Sequence, residues 1–174
     1  ARFVLIGSGN PEEGELRPQL LDRFGMSVEV RTVREAKLRV QVVDQRTAFD
    51  NNPEAFSDSV EGNQATLQQK VVDAQNLLSE VSIDEDLRLR ISAVCGELDV
   101  DGLRGDIVTN RAARALAAFE GRKEVTEEDI ARVVSTALRH RLRKDPLETV
   151  DSGDRVIKAF CKVFERSESN DVSE

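Results

Sequence analysis

Three short stretches of the sequence place polar side chains where turns would expose them for chemistry. Asn10 follows a Gly-Ser-Gly turn at the end of an apolar run, and Arg23 follows Asp22 at the end of an amphipathic stretch. Arg104 lies in a Gly-Leu-Arg-Gly turn at a predicted helix start. An amide and a guanidinium beside the carboxyl end of a buried strand stand where open α/β sheets bind ligands, and helix starts favour anions. These residues are therefore candidates for holding a phosphate-bearing ligand.

Each candidate also has a purely structural interpretation, which the sequence leaves open. Asn10 could cap a turn, and Arg23 could form a surface ion pair of little energetic value. Arg104 could pair with Asp101 or Asp106, which flank it in sequence. A functional arginine would have to lie where phosphate charge develops, because there it can be worth on the order of 10³–10⁵ in rate.

Other chemistries have weaker support. His140 is the only histidine and has no Cys or His neighbour at metal-ligand spacing, so no metal site is indicated. No serine–histidine pair has local support for nucleophilic catalysis. Cys95 and Cys161 form no C-x-x-C motif and do not suggest a disulfide framework, which favours a reducing compartment. Cys95 lies on an apolar helical face, which predicts a buried thiol, with a redox-sensing thiol as the alternative.

Composition and charge exclude some classes of function. The 174 residues carry a net charge of −8, which argues against nucleic-acid binding because such binding depends on cationic contacts. The chain is 39% apolar and 33% charged, as in ordinary soluble domains. No apolar run approaches the roughly 18 residues of a membrane span. A basic cluster at 139–144 predicts a solvated helix end, or alternatively an intersubunit or anion-binding surface.

The first third of the chain predicts a strand–helix–strand unit. Residues 2–9 have the continuous apolar character of a strand in a parallel sheet, and Met26, Val28 and Val30 alternate with polar residues in a second strand. The short helix between them ends at Gly25. Two strands cannot form a stable sheet alone. We therefore expect the rest of the sheet to come from residues that are not in this sequence.

The remainder predicts helices. A helix over 34–49 is expected to end before Asn51-Asn52-Pro53, followed by a loop over 50–64 and a helix from about 67 to 80. Four further helices should enclose one small core. The predicted boundaries are a capping box at Ser82 and Glu85, a glycine stop at Gly121, a capping box at Thr126 and Asp129 with Val125 and Ile130 as a staple, a stop at Pro146, and a disordered tail from about Ser167.

Taken in order, these motifs resemble the C-terminal half of the magnesium chelatase I subunit family, which are AAA+ ATPases of chlorophyll and bacteriochlorophyll synthesis. The resemblance covers most of the chain, and its motifs are GSGNPEEGELRPQLLDRFG at 7–25, DGLRGDIVTNR at 101–111, LRHRLRKDPLE at 138–148 and Asp151-Ser-Gly153. It implies an α/β plus all-α fold, in which part of an AAA+ parallel-sheet core precedes a helical lid bundle. The expected divisions are a core part at 1–50, a loop and inserted long helix at 51–80, and the lid at 81–174.

The resemblance also implies roles for the three candidates. Asn10 matches the sensor-1 asparagine, Arg23 the arginine finger that reaches a neighbouring subunit's nucleotide, and Arg104 the sensor-2 arginine of the lid. The implied cofactors are ATP and Mg²⁺. The family's phosphate-loop lysine and its acidic magnesium-holding motif belong to its N-terminal half and are absent from this sequence. The chain alone is therefore expected to be inactive.

The function implied by the resemblance is ATP-driven insertion of Mg²⁺ into protoporphyrin IX. The expected partners are the N-terminal half of the same subunit, further copies in a homo-oligomeric ring (a hexamer is expected), and the D and H subunits of the chelatase. The expected location is a cyanobacterial cytoplasm or a chloroplast stroma. Two alternatives remain at this stage: another AAA+ remodelling ATPase of the MoxR type, and a non-catalytic helical interaction module.

Overall fold

The computed structural model describes residues 4–10, 14, 16–142 and 151–164. Its described part contains seven α-helices and no strand. The helices are α1 (Pro18–Leu21), α2 (Ala36–Asn51), α3 (Pro53–Leu77), α4 (Glu85–Glu97), α5 (Arg104–Phe119), α6 (Glu127–Leu138) and α7 (Ser152–Phe164), with 3₁₀ turns at Leu78–Glu80 and Arg139–Arg141. The predicted stop at Pro146 and the predicted tail from Ser167 lie outside the described residues.

The predicted helical lid bundle is confirmed. Helices α4 to α7 enclose one core, in which α6 packs against α5 and α7, and α4 packs against α5 and α7. The apolar stripes read from the sequence supply this core, because residues three and four apart share a helix face. Its most deeply buried large apolar side chains are Ile91, Val94, Ile130, Val134, Leu138 and Val156.

The capping box predicted at the start of α6 is confirmed. The Thr126 hydroxyl accepts a hydrogen bond from the Asp129 amide at 3.4 Å, and the Asp129 carboxylate accepts one from the Thr126 amide at 2.8 Å. The same carboxylate is fully buried and receives two bonds from the Arg122 guanidinium, at 2.7 and 2.5 Å. Burial alone would raise the pKa of Asp129, but these hydrogen bonds outweigh burial and lower the pKa.

Helix α5 also ends where the sequence predicts. Gly121 has a φ of +75°, a conformation that favours glycine, directly after the C-cap residue Glu120. The amide of Gly121 donates to the carbonyl of Ala118 at 3.0 Å, and that of Arg122 donates to Ala117 at 2.8 Å. This is the Schellman arrangement, which turns the chain from α5 towards α6 and brings Arg122 to Asp129.

The cap predicted for α4 is wrong. The N-cap residue is Asp84, whose carboxylate accepts from the amide of Asp86 at 3.1 Å. Ser82 instead forms an isolated parallel bridge with Glu124, in which its amide donates to the Lys123 carbonyl at 2.9 Å. Local spacing assigned Ser82 to the cap of α4, but Ser82 instead makes a backbone contact with a segment that is distant in the sequence.

The predicted loop at 50–64 is also wrong, because α2 continues to Asn51 and α3 begins at Pro53. Asn52 alone separates the helices, and its side chain caps α3 by accepting from the Ala55 amide at 3.0 Å. Proline is well tolerated in the first turn of a helix. Phe49 and Phe56 pack edge to face across the break, with ring centroids 5.8 Å apart. A break of one residue therefore replaces the predicted loop.

The two predicted strands are not formed within the described residues. Val4, Ile6, Val28 and Val30 are 88, 90, 68 and 91% exposed, and no ladder partner lies beside them. An isolated pair of strands cannot offset the entropy of ordering it. The short helix between them is also reduced, to the four residues of α1.

Gly105, in the first turn of α5, sets the approach of three helices. A Cβ atom built there would lie 3.0 Å from Leu138 Cδ2, 3.1 Å from Val100 Cγ1 and 3.3 Å from Cys95 Sγ. The absence of a side chain thus lets the start of α5 press against the end of α6 and against α4. The neighbouring residue, Arg104, is brought close to the chain that follows α6.

The buried Asp129–Arg122 pair predicts a pH-dependent loss of stability. We expect Asp129→Asn to lower the free energy of unfolding at pH 7 by about 2–3 kcal/mol. This is less than for a fully buried pair, because Arg122 is 35% exposed. The lowered pKa of Asp129 means that its contribution is present above the unfolded value of about 3.9 and is lost as pH falls through the folded value.

Urea unfolding of the chain and of the variant at pH 7 and near pH 3 measures this difference. Glu97→Gln is a matched neutralisation, because Glu97 pairs with Lys162 at the surface and should contribute little. A difference between chain and Asp129→Asn that stays constant down to acid pH would contradict the assignment.

The packing at Gly105 predicts that Gly105→Ala is destabilising. Overpacking against three neighbours should cost more than the roughly 0.5–1 kcal/mol that alanine gains over glycine in a helix, giving a net loss of about 1–2 kcal/mol. Gly96→Ala in α4 is the control, because nothing lies within 4 Å of its Cβ position and only the helix gain applies. Equal thermal midpoints for the two variants would show that this close approach is unimportant.

Candidate functional site: an arginine-lined cleft

The turn at 22–25 faces the start of α5 across an open cleft of about 690 Å³. The Arg23 amide donates to the Leu20 carbonyl at 3.0 Å within the turn, and the Ser27 amide, just after it, donates to the Thr136 carbonyl of α6 at 2.8 Å, which links the segment to the lid. The side chains and backbone that line the cleft are those of Asp22, Arg23, Phe24, Gly25, Asp101, Gly102, Leu103, Arg104, Ile107, Val108, Arg111 and Arg141.

The cleft is basic although the chain is acidic. Its lining carries four arginines and two aspartates, an excess of two positive charges, in a chain whose net charge is −8. A concave surface lined by one sign of charge concentrates ligands of the other sign. Guanidinium groups also match the geometry of phosphate oxygens. The cleft is thus suited to a phosphate group or another anion.

Arg104 begins α5, and its guanidinium crosses the cleft to Asp22. It forms an ion pair with the Asp22 carboxylate and donates to the Asp22 carbonyl at 3.0 Å. The sequence suggested Asp101 or Asp106 as its partner, but Asp106 accepts from the Ser92 hydroxyl at 2.6 Å. The Arg104 side chain is 49% exposed, so the pair is accessible to solvent and to a competing anion.

Arg23 is exposed at the edge of the same cleft. Within the described part of the chain, its guanidinium has no hydrogen bond or ion pair. Among the described residues, Arg23 therefore does not form the surface ion pair that was its structural interpretation. The structure therefore brings Arg23 and Arg104, which are 81 positions apart, to one cavity, and leaves the former open to an external partner.

Asn10 lies apart from these two residues. It is exposed in the segment 4–10 and is not among the residues that line the cleft. The segment itself passes close to the turn, because a Cβ atom at Gly7 would lie 3.6 Å from the ring of Phe24. The structure thus does not place Asn10 among the residues that line the cleft with the two arginines.

The solvated helix end predicted for the basic cluster is wrong for its described members. Arg139 pairs with Glu29 at 3.0 Å and with Asp151 at 3.2 Å. Arg141 is almost entirely buried, with its side chain 2% exposed. These described members attach the N-terminal segment to the lid, through Arg139 to Glu29 and Arg141 to the Phe24 carbonyl.

His140 contributes to this attachment in its neutral form. Its Nε2 lies 3.2 Å from the carbonyl oxygen of Phe24. A carbonyl can only accept, so Nε2 carries the hydrogen, and the buried Nδ1 has no partner among the described residues. Burial lowers the pKa of His140, which therefore stays uncharged at neutral pH.

The expectation of a buried thiol at Cys95 is confirmed. Burial, followed by the charge of Asp106, raises the pKa of Cys95 to about 12. The thiolate is the reactive form of cysteine, and it is scarce at neutral pH under these conditions. Cys161 is a second free and partly buried thiol.

Two cleft residues were not among the candidates from the sequence, Arg111 and Arg141. Arg111 lies seven positions after Arg104 on α5, two helical turns further along the same face, so helical periodicity could have identified it. Arg141 is part of the basic cluster, and no local signal distinguished it from its neighbours. Among the described residues, no group of three or more His, Cys, Asp and Glu side chains could hold a metal ion.

Comparison with known proteins agrees with this architecture. A family model described as AAA lid domain matches residues 88–159. The chain is 69% identical over 164 residues to the magnesium-chelatase subunit ChlI of Synechocystis sp., covering 94% of this chain and 46% of that protein. It is 65% identical to the chloroplastic magnesium-chelatase subunit ChlI of Nicotiana tabacum, with 94% and 38% covered.

The crystal structure of a Cytophaga hutchinsonii protein that is described as a predicted ATPase has a similar fold, with a TM-score of 0.62. The match has 19% identity and covers 89% of this chain and 49% of the other. The described helices include none that is long and apolar enough to cross a membrane. The chain spans about half the length or less of these curated relatives. With identities above 60% over nearly all of its residues, the chain belongs to the family of the magnesium-chelatase subunit ChlI, and its residues 88–159 are an AAA lid domain.

Proposed function

We propose that this chain supplies the lid and the arginine-bearing part of the ATP-hydrolysing motor subunit of magnesium chelatase, which drives the insertion of Mg²⁺ into protoporphyrin IX. The observation that carries this proposal is the meeting of Arg23 and Arg104 in one basic cleft of an acidic chain. The family resemblance implies the reaction and its substrates, ATP and the porphyrin, and the likeness to magnesium-chelatase subunits ChlI supports it.

The chemistry of phosphoryl transfer suits such a cleft. The transferred phosphoryl group spreads negative charge over its oxygens, and catalysis consists of positioning and charge neutralisation. Arg23 is the candidate arginine finger because it matches that residue in the family's motif. Its guanidinium is exposed and makes no ion pair with the described residues, which leaves it available for this role. Arg104 is the candidate sensor-2 residue, and a phosphate could replace the half-exposed Asp22 as its partner.

We further propose that both arginines act on the same nucleotide, which a neighbouring subunit holds. They line one cleft, which supports a common phosphate-bearing ligand for both. The phosphate loop that would hold this nucleotide has no counterpart in this sequence. In a ring of subunits, each cleft would face the nucleotide that a neighbouring subunit holds. The family resemblance implies that this ring is a hexamer.

Asn10 is proposed as the sensor-1 residue, and this role requires a completed sheet. The exposed apolar side chains around it and in the segment before α2, including Val4, Ile6, Val28 and Val30, are surface that a parallel sheet would bury. The residues that relatives possess beyond the matched half are the proposed source of that sheet. They would also supply the phosphate-loop lysine and the Mg²⁺ ligands.

The wider partners follow from the same proposal. The motor ring would act with the chelatase D and H subunits, and the porphyrin would be held by the H subunit. The relatives come from cyanobacteria and from chloroplasts, so the cyanobacterial cytoplasm or the chloroplast stroma is the proposed location.

Removing the proposed finger should abolish hydrolysis without unfolding the protein. In the full-length protein, we expect Arg23→Ala to lower the ATPase kcat by on the order of 10³–10⁵, because the developing phosphate charge loses a guanidinium. Steady-state ATPase assays measure this loss. Arg17→Ala is the matched control, since Arg17 is an exposed arginine of the same segment that does not line the cleft.

Mixing distinguishes a finger that acts across an interface from one that acts within its own subunit. Subunits with Arg23→Ala and an intact phosphate loop should regain activity when a neighbour with an intact Arg23 is added. Normal activity of rings made only of Arg23→Ala subunits would refute the assignment, and a failure of mixed rings to recover would refute action across the interface.

A further inference from the structure

We infer that Arg141 is a positioning residue for Arg23, and that it holds the finger-bearing turn in place when Arg104 leaves Asp22 for a phosphate. This inference rests on the proposed function and adds to it a residue that touches neither nucleotide nor substrate. The structure suggests it because one buried side chain binds the backbone on both sides of Arg23.

The contacts of Arg141 use all five of its N–H groups. Its Nη1 donates to the Asp22 carbonyl at 2.8 Å and to the Asp22 carboxylate at 2.5 Å, and its Nη2 donates to the carbonyls of Phe24 at 2.7 Å and of Gly25 at 3.4 Å. Its Nε donates to the Ala137 carbonyl at 3.0 Å, which fixes the side chain to the end of α6. Only arginine has five donors in a rigid fork.

These acceptors flank the proposed finger. The carbonyls of Asp22 and Phe24 belong to the residues immediately before and after Arg23, so holding both fixes the Cα position and the direction of the exposed side chain between them. The Arg23 guanidinium itself has no bond to the described residues that could orient it. Its placement must therefore come from its backbone, and a misplacement of about 1 Å can cost on the order of 10²-fold in rate.

The two arginines that bind Asp22 differ in accessibility. The side chain of Arg104 is 49% exposed, whereas that of Arg141 is 2% exposed. Arg141 also lines the cleft, but its side chain is 2% exposed and its N–H groups are all engaged, so a phosphate would compete for Arg104 and not for Arg141. Arg141 therefore keeps the turn on the lid while Arg104 changes partner. In this way the lid of a subunit controls the finger that the same subunit presents to its neighbour.

The test uses full-length subunits in mixed rings. Acceptor subunits carry Arg23→Ala and an intact phosphate loop, and donor subunits carry an intact Arg23 and a substituted phosphate-loop lysine. Hydrolysis then occurs only where a donor finger meets an acceptor site. We expect Arg141→Lys in the donor to lower kcat by on the order of 10²-fold, with KM for ATP unchanged, because lysine keeps the charge but has three donors.

The same substitution in the acceptor should have no effect, because that subunit has no finger to position. Arg139→Gln in the donor is the matched control, since Arg139 lies in the same 3₁₀ turn and binds Glu29 and Asp151 instead of the finger-bearing turn. Arg141→Met, which removes every donor, should reproduce the loss seen with lysine.

Four outcomes would overturn the inference. They are an unchanged kcat with Arg141→Lys in the donor, an equal loss when the substitution is in the acceptor, an equal loss with Arg139→Gln, and a failure of both Arg141 variants to enter rings, which would assign the contact to folding alone. Inactivity of unsubstituted donor and acceptor mixtures would instead refute the proposed action of Arg23 across the interface. The two failures are thus distinguishable.

Discussion

The carboxylate and carbonyl of Asp22 receive two guanidiniums, from two helix ends that lie side by side in the lid bundle. Arg104 starts α5, and Arg141 follows α6. Both contacts depend on the close approach of these helix ends, which Gly105 permits by carrying no side chain against Leu138. Leaving the buried Arg141 guanidinium without its acceptors would be costly, so the turn at 22–25 and the lid are expected to move as one unit.

This unit has an unequal distribution of stability. The bundle of α4 to α7 has its own buried core and an ion pair between the buried Asp129 and the partly exposed Arg122. The segment before α2 contributes few buried side chains and is held mainly by polar contacts to the 3₁₀ turn at Arg139–Arg141. Regions with few buried apolar contacts open at lower free energy than cores do. The part of the chain that carries Arg23 therefore depends on the lid for its order.

Electrostatics separates the cleft from the rest of the surface. The acidic chain repels anions at long range, and the positive excess at the cleft is local. Screening limits such interactions to about 8–10 Å at physiological ionic strength, so the surrounding acidic residues do little to cancel the cleft at contact distance. Asp22 is the exception, because it neutralises Arg104 directly. Arg23 and Arg111 remain as the cleft guanidiniums with no hydrogen bond or ion pair to the described residues, so both are available to a group from another subunit.

The sequence by itself determined the helices of the bundle, the capping box of α6 and the glycine stop of α5, because these depend on spacing and turn chemistry within a few residues. It also identified Arg23 and Arg104, because they match the order of the family's motifs and not because their contacts could be predicted.

The sequence misassigned the loop at 50–64, where a single capping asparagine separates two helices. It also misassigned Ser82 as a cap, since Ser82 forms a backbone bridge with Glu124. The strand patterns at 2–9 and 26–32 did not produce strands in the described residues, because a ladder needs partner strands that the pattern of one segment cannot supply. Only the tertiary structure decided that Arg139 and Arg141 attach the N-terminal segment to the lid and that Arg141 binds the backbone around Arg23, because these are contacts between residues more than 100 positions apart.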